Sequence, residues 1–285
     1  MYAAYSSERA RSTGPAGAAA RPCSITRGSL VDSVPAGRLA ATIRPVRPFV
    51  FLLLAPILTG LGFVGTCIGL LFDPAGGRVS HVVARLWAQA MLGISGARLV
   101  VTGAERFAPR EPRVVVSNHS SYLDIPALLV AFPGQLRVVA RKSLLWLPFV
   151  GPYLWLGGHF LLDREDARQA LKVWDRVGAR MRRRRISPLV YPEGTRSPDG
   201  RLHAFKTGAF LLPLMVEAPV QPVAILGTHA IWPKGYWAPR RGGVIEVRVG
   251  AAIPTAGRGG APARKALAAD AHAAIAALGV PVAQA

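Results

Sequence analysis

From residue 97 onward, short apolar runs alternate with stretches of helical period. The runs fall at 97–102, 113–117, 136–140, 188–191, 221–226 and 244–249 and resemble strands. Between 165 and 181, Ala167, Ala170, Leu171, Trp174, Val177 and Met181 recur on one helical face, with Asp163 placed to cap it. Another helix is predicted over about 262–278, after the loop TAGRGGAP. Alternating strands and helices predict an α/β domain over residues 95–285, built on a mixed, largely parallel sheet flanked by helices.

The pattern upstream is different. Residues 49–72 read FVFLLLAPILTGLGFVGTCIGLLF and carry no charge. As a helix they extend roughly 36 Å, enough to cross the hydrocarbon core of a bilayer. Pro56 and four glycines keep a re-entrant hairpin open as an alternative. A buried core helix is the bland alternative. Residues 78–94 have an amphipathic pattern. Arg78, His81, Arg85 and Gln89 form a polar stripe, and Val79, Val82, Val83, Leu86 and Ala90 an apolar one. That suits a membrane interface or ordinary packing on a soluble domain. Residues 49–94 are therefore expected to be a helical membrane-docking element. Residues 1–48 are rich in Ala, Gly, Ser, Pro and Arg and are expected to be a disordered basic tail.

Charge narrows the choice of partner. Lys and Arg number 35 against 15 Asp and Glu, a formal charge of +20, and only five of the bases are Lys. Such an excess favours an anionic partner: nucleic acid, lipid headgroups or a phosphorylated substrate. The basic residues are dispersed and no recognition helix or aromatic RNA-binding signature occurs, so no nucleic-acid partner is expected. Arg38, Arg44 and Arg47 precede the apolar segment, which favours a cytoplasmic N-terminal flank, although Arg78 and Arg85 follow it. Cys23 and Cys67 belong to no Cys/His cluster, so neither a disulfide framework nor a metal site is expected.

Two polar clusters carry candidate chemistry. NHSSYLD, Asn118 to Asp124, directly follows a strand-like run. A strand entering a turn and then a helix puts polar side chains at the C-terminal edge of the sheet, where α/β folds bind ligands. His119 and Asp124 are five apart, and a carboxylate beside an imidazole fixes its tautomer and supports it as a general base. No serine or cysteine nucleophile motif accompanies them, which suits an attacking hydroxyl that belongs to the substrate. Taken alone, that spacing is weak. The second cluster is YPEGTRS, Tyr191 to Ser197. Arg196 offers a planar fork for a phosphate. Gly194 allows close backbone approach, Thr195 offers a hydroxyl, and Glu193 suits a glycerol hydroxyl or the orientation of Arg196. A surface turn with a local Glu–Arg pair explains the same residues without function. Between the clusters, residues 140–164 are apolar and aromatic, fit to line an acyl chain or a core, and Lys142 and Arg164 bracket them. The run RMRRRR, Arg180 to Arg185, suits anionic lipid, an acidic carrier protein or a solvated helix end.

The order of NHSSYLD, KSLLWLPFVG with GGHFLLDR, YPEGTRS with AFKTGAF, and APVQPVAI resembles the glycerolipid acyltransferase family over about residues 98–230. The resemblance is to its 1-acylglycerol-3-phosphate acyltransferases in particular. It implies an O-acyltransferase that needs no cofactor beyond a thioester co-substrate, acyl-CoA or acyl carrier protein. Its acceptor would be the sn-2 hydroxyl of lysophosphatidic acid, or another lysolipid. It implies His119 as the base and Asp124 as its partner. Arg164, Glu193, Gly194, Thr195 and Arg196, with Lys142 nearby, would form the glycerol-phosphate site, and Pro222 would shape the acyl pocket. The expected setting is the cell inner membrane, with an anionic surface and the catalytic domain on the cytoplasmic side.

Overall fold

The computed structural model describes residues 47–73, 77–108, 111–163 and 167–284. All but the last two residues of the predicted basic tail lie outside the described residues, and so does Arg164.

Seven strands form one sheet: β1 (Ala97–Thr102), β2 (Val114–Ser117), β3 (Gln135–Arg141), β4 (Phe160–Leu162), β5 (Ile186–Val190), β6 (Val220–Leu226) and β7 (Gly243–Val249). They are ordered β1-β7-β6-β2-β5-β3-β4. Every pairing is parallel except β6 with β7. The six predicted strands are present and the sheet is mixed and largely parallel, as their alternation with helices requires. The strand missed by the sequence reading is β4. Its three residues follow Gly157 and Gly158 and are too short to show a period.

The helices are α1 (Arg47–Phe72), α2 (Arg78–Ser95), α3 (Asp124–Ala131), α4 (Val150–Leu156), α5 (Ala167–Arg184), α6 (Leu211–Met215), α7 (Thr228–Ile231) and α8 (Gly260–Ala277). They cover both faces of the sheet. Val115, Val138, Ile245 and Val247 pack beneath α2 and α3, against Leu92, Ala127 and Leu128. Val114, Val116 and Val220 face the other way and meet Trp174, Val177 and Met181 of α5 and Leu267, Ala271 and Ile275 of α8. The central strand β2 is buried on both faces, which is why it is apolar without alternation.

The helix α1 runs unbroken through Pro56 for 26 residues, so the re-entrant alternative gives way to a continuous helix. Its glycines serve as a seam for α2. A Cβ at Gly62 would meet the Trp87 ring, one at Gly65 would meet Val83, and one at Gly69 would come within 2.5 Å of Val79. Small residues let two helix backbones approach closely. Only one side of α1 is covered: Phe51 and Ala55 join the domain core, whereas Leu53, Ile57, Leu61, Val64, Ile68 and Leu71 form an exposed apolar ridge. The predicted stripes of α2 are also rearranged. Its buried face is Ser80, His81, Ala84, Ala88 and Met91, and Val82 and Leu86 face outward. Val79, Val83 and Trp87 of α2 meet the glycines of α1, and Ala84, Ala88 and Met91 turn to the domain core.

Candidate active site

The register Val116 with Val190 sets the C-terminal ends of β2 and β5 side by side, and Val116 with Pro222 aligns β6 on the other flank. The two polar clusters therefore leave the same edge of the sheet. Asn118 anchors the first cluster. Its side chain donates to the Ile225 carbonyl at 2.8 Å and accepts the Ile225 amide at 2.8 Å, taking the place of a ladder pair. Ser121 is held by its hydroxyl on the Trp232 carbonyl at 2.8 Å.

Asp124 opens α3 and its side chain is fully buried. Oδ2 takes the His119 Nδ1 hydrogen bond at 2.8 Å and accepts the amides of Ser120 and Ser121 at 2.7 and 2.8 Å. A carboxylate in the first turn of a helix also has the favourable pole of that helix. Tyr191 stacks on the imidazole, with ring centroids 4.0 Å apart and planes within 18°. Burial, then the Asp124 charge, pushes the Tyr191 phenol well above its ordinary value, so it stays protonated. The His119 side chain keeps 16% of its surface exposed, and among the described residues nothing bonds its Nε2. With Nδ1 turned to the carboxylate, Nε2 is free to take a proton from outside.

The second cluster is bolted to the first. Glu193 Oε1 accepts the His119 amide at 2.8 Å, Oε2 accepts the His203 amide at 3.2 Å, and the Ser197 amide donates to the His119 carbonyl at 2.7 Å. Burial pushes the Glu193 carboxyl up to about 7, against the pull of those two amides. Glu193 was expected beside a glycerol hydroxyl or orienting Arg196, and here it holds two backbone amides. It is buried and both its oxygens serve the backbone, so it positions the loop. Gly194 turns the chain at φ 79°, which glycine adopts without strain. Arg196 lies over the Tyr122 ring, Cζ 3.5 Å from its centroid, and its Nη1 is buried without a hydrogen-bond partner among the described residues.

Lys234 was missed in the sequence. Its Nζ donates to the Arg196 carbonyl at 3.1 Å and approaches the Thr195 hydroxyl at 3.4 Å. The antiparallel bridge from Ser121 to Pro233 brings it there, and no local motif marks it. Lys142 follows β3 at the same edge, 3.9 Å from Asp163, and shows no contact with His119 or Arg196. Pro222 is buried within β6 against Val116 and Gly250. It does not line the apolar cavity of about 140 Å3 that lies between α1, α2 and the sheet. That cavity is walled by Phe63, Trp87, Ile125, Leu129, Leu144 and Tyr153, and Ile125 adjoins Asp124. Trp146 and Trp155, by contrast, point out to the surface. Amides near the start of the helix after His119 are the local candidates for oxyanion donors. The amides of Ser120 and Ser121 are already taken by Asp124.

Residues 98–226 match the family model described as Acyltransferase. The chain carries an acyltransferase-family domain. The human 1-acyl-sn-glycerol-3-phosphate acyltransferase alpha is 35% identical over 164 residues, 57% of this chain and 57% of its own. The 1-acyl-sn-glycerol-3-phosphate acyltransferase of Saccharomyces cerevisiae is 32% identical over 192 residues, 66% of this chain and 63% of its own. The chain thus spans about three fifths of the length of these relatives. The crystal structure of the 1-acyl-sn-glycerophosphate (LPA) acyltransferase, PlsC, from Thermotoga maritima shares the fold. It superposes with a TM-score of 0.69 at 21% identity, covering 86% of this chain and all of that one. The matched segment holds both polar clusters, and α1 and α2 precede it.

Proposed function

We propose that this protein transfers a fatty-acyl group from a thioester, acyl-CoA or an acyl carrier protein, to the free hydroxyl of a lysophosphatidic-acid-like lipid. The observation that carries this reading is the His119–Asp124 pair at 2.8 Å, with Nε2 unengaged and no serine or cysteine nucleophile motif beside it. His119 Nε2 takes the proton of the acceptor hydroxyl, and the oxygen attacks the thioester carbonyl. The carbon–sulfur bond then breaks, and the departing thiolate receives the proton from the imidazolium. Asp124 holds the tautomer and stabilises the imidazolium. Arg196 and Lys234 receive the acceptor's phosphate, which favours a phosphate-bearing lysolipid over an uncharged acceptor. The relatives' names point to the same acceptor.

The lipid setting has its own support. The exposed ridge of α1 lies along the domain, with Phe51 against Trp232 at one end and the Gly62–Gly69 seam against α2 toward the other. A helix packed along its domain in this way suits docking into one leaflet rather than a free span. Exposed Trp146, Trp155 and Trp237 suit the headgroup level. The basic flank before α1 favours a cytoplasmic face of an inner membrane.

The test is an acyl-transfer assay on detergent-solubilised protein with lysophosphatidic acid and oleoyl-CoA or an acyl carrier protein donor. Phosphatidic acid should form, and His119→Ala should lower turnover by about a thousandfold while the unfolding midpoint changes little. Near-normal turnover in that variant would remove His119 as the base. Fatty acid released without acceptor would make the protein a thioesterase.

A further inference from the structure

The opposite edge of the sheet gathers charge that acyl transfer does not use. Arg78 begins α2, Arg183 and Arg184 end α5, and Arg185 leads into β5. Together with Asp73 and His81 they line one open basin of about 930 Å3. Among the described residues four guanidinium groups there face a single acid, a net charge of +3 by subtraction. That acid already accepts the Arg78 amide at 2.8 Å. Beneath lies Arg137, buried, donating to the Gly77 carbonyl at 2.7 Å and to Gln135 at 3.0 Å. Burial, with the charges of Arg137 and Arg85, pushes the His81 imidazole down to about 4, so it stays neutral beside these cations.

Cations at the end of α5 suit the pole of that helix, which explains Arg183 and Arg184 taken alone. It does not explain Arg78, which comes from another element. Arg185 adopts φ 51°, a left-handed position just past the helix where glycine is unstrained. A charged side chain is kept there at a conformational cost, and it faces the basin. Leu71 and Phe72 at the end of α1, and Val82 and Leu86 on α2, are exposed, and Val82 itself lines the basin. A cationic basin bordered by an exposed aliphatic edge matches a molecule that is anionic at its head and apolar behind it.

We propose that this basin binds the phosphate of an anionic phospholipid headgroup, at the sheet edge remote from His119. The guanidinium forks take the phosphate oxygens, and the ends of α1 and α2 sit among the chains. This second lipid site anchors the end of the domain that the catalytic loops do not reach. It does not depend on the acyl-transfer reading.

The test is partition of the full chain onto phosphatidylcholine vesicles with and without phosphatidylglycerol. The substitutions Arg183→Gln, Arg184→Gln and Arg185→Gln are made together. A charge-matched control carries Lys172→Gln, Arg176→Gln and Lys265→Gln, three exposed residues away from the basin. Phosphatidylglycerol should strengthen binding of the parent, and the basin variant should lose about tenfold to a hundredfold of that gain. The control should keep the gain, and all three proteins should bind phosphatidylcholine alike. Arg78→Gln, from a separate element, should lose a smaller part in the same direction, which guards against a folding defect in the triple variant. Equal losses in the basin variant and the control would mean diffuse charge and overturn the proposal, as would no loss in either. Millimolar inorganic phosphate should leave the phosphatidylglycerol gain in place. Raising the parent's unfolding midpoint while abolishing that gain would assign the basin to free phosphate and overturn the headgroup.

Discussion

The two loops at the catalytic edge each contain a buried carboxylate that accepts backbone amides, yet they are built in opposite ways. In the first, Asp124 gathers His119 and the amides of Ser120 and Ser121 onto one oxygen. All of that carboxylate's donors come from the same seven-residue segment, while Asn118 and Ser121 tie the segment to Ile225 and Trp232. In the second, Glu193 reaches out of its segment to the amides of His119 and His203. That loop takes its position from the first. A self-contained loop can be read from its motif, whereas a dependent loop acquires its shape only when the sheet has brought its partner alongside.

Breaking the self-contained loop should have the largest effect. Asp124→Asn keeps an oxygen for the two amides but offers His119 a group that no longer demands Nδ1–H. Turnover should fall by about a hundredfold to ten-thousandfold with folding preserved. Asp124→Ala should match that loss and also lower stability by about 1–3 kcal/mol, because two buried amides lose their acceptor. Denaturant unfolding of both variants separates the terms. Equal stabilities would mean that the amides find water and that the loop does not depend on the carboxylate.

The dependent loop should respond in substrate affinity. Arg196→Lys keeps the charge but loses the planar fork stacked on Tyr122. Steady-state kinetics should show kcat/KM for the phosphate-bearing acceptor falling about a hundredfold, mostly through KM. A fall confined to kcat would place Arg196 at the reacting carbonyl instead.

The same contrast explains what was legible beforehand. The six strands were visible because each is a largely apolar run of four residues or more, and β4 was not because three residues cannot show a period. His119 and Asp124 were visible because their chemistry is local to five residues. The roles of Glu193 and Lys234 were not, since each depends on elements distant in sequence: the His119 amide for one, the Ser121–Pro233 bridge for the other. The stripes of α2 misled for a related reason. Periodicity reports which residues are apolar, but the packing of α1 and the sheet decides which of them are covered. Gly62, Gly65 and Gly69 were read as candidate kinks, yet they are where α2 comes close.

The smallest effect is the most diagnostic of the dependent loop. The Glu193 carboxyl is raised from 4.5 to about 7 by burial. A carboxyl raised on folding stabilises the protein fully below its unfolded value, and that contribution is lost as pH rises through the folded value. The parent should therefore lose on the order of 1–3 kcal/mol, relative to Glu193→Gln, between pH about 4.5 and about 7. At low pH the variant should be the weaker protein, because its amide sets one donor against a backbone N–H. The gap should narrow toward neutral pH. His81 and His159, whose values burial lowers, act in the opposite sense at acid pH, but they are common to both proteins and cancel in the difference. Unfolding midpoints of the pair across this range decide the matter. A constant gap would mean that Glu193 is already ionised at acid pH and held by its two amides, so that the second loop is as self-sufficient as the first.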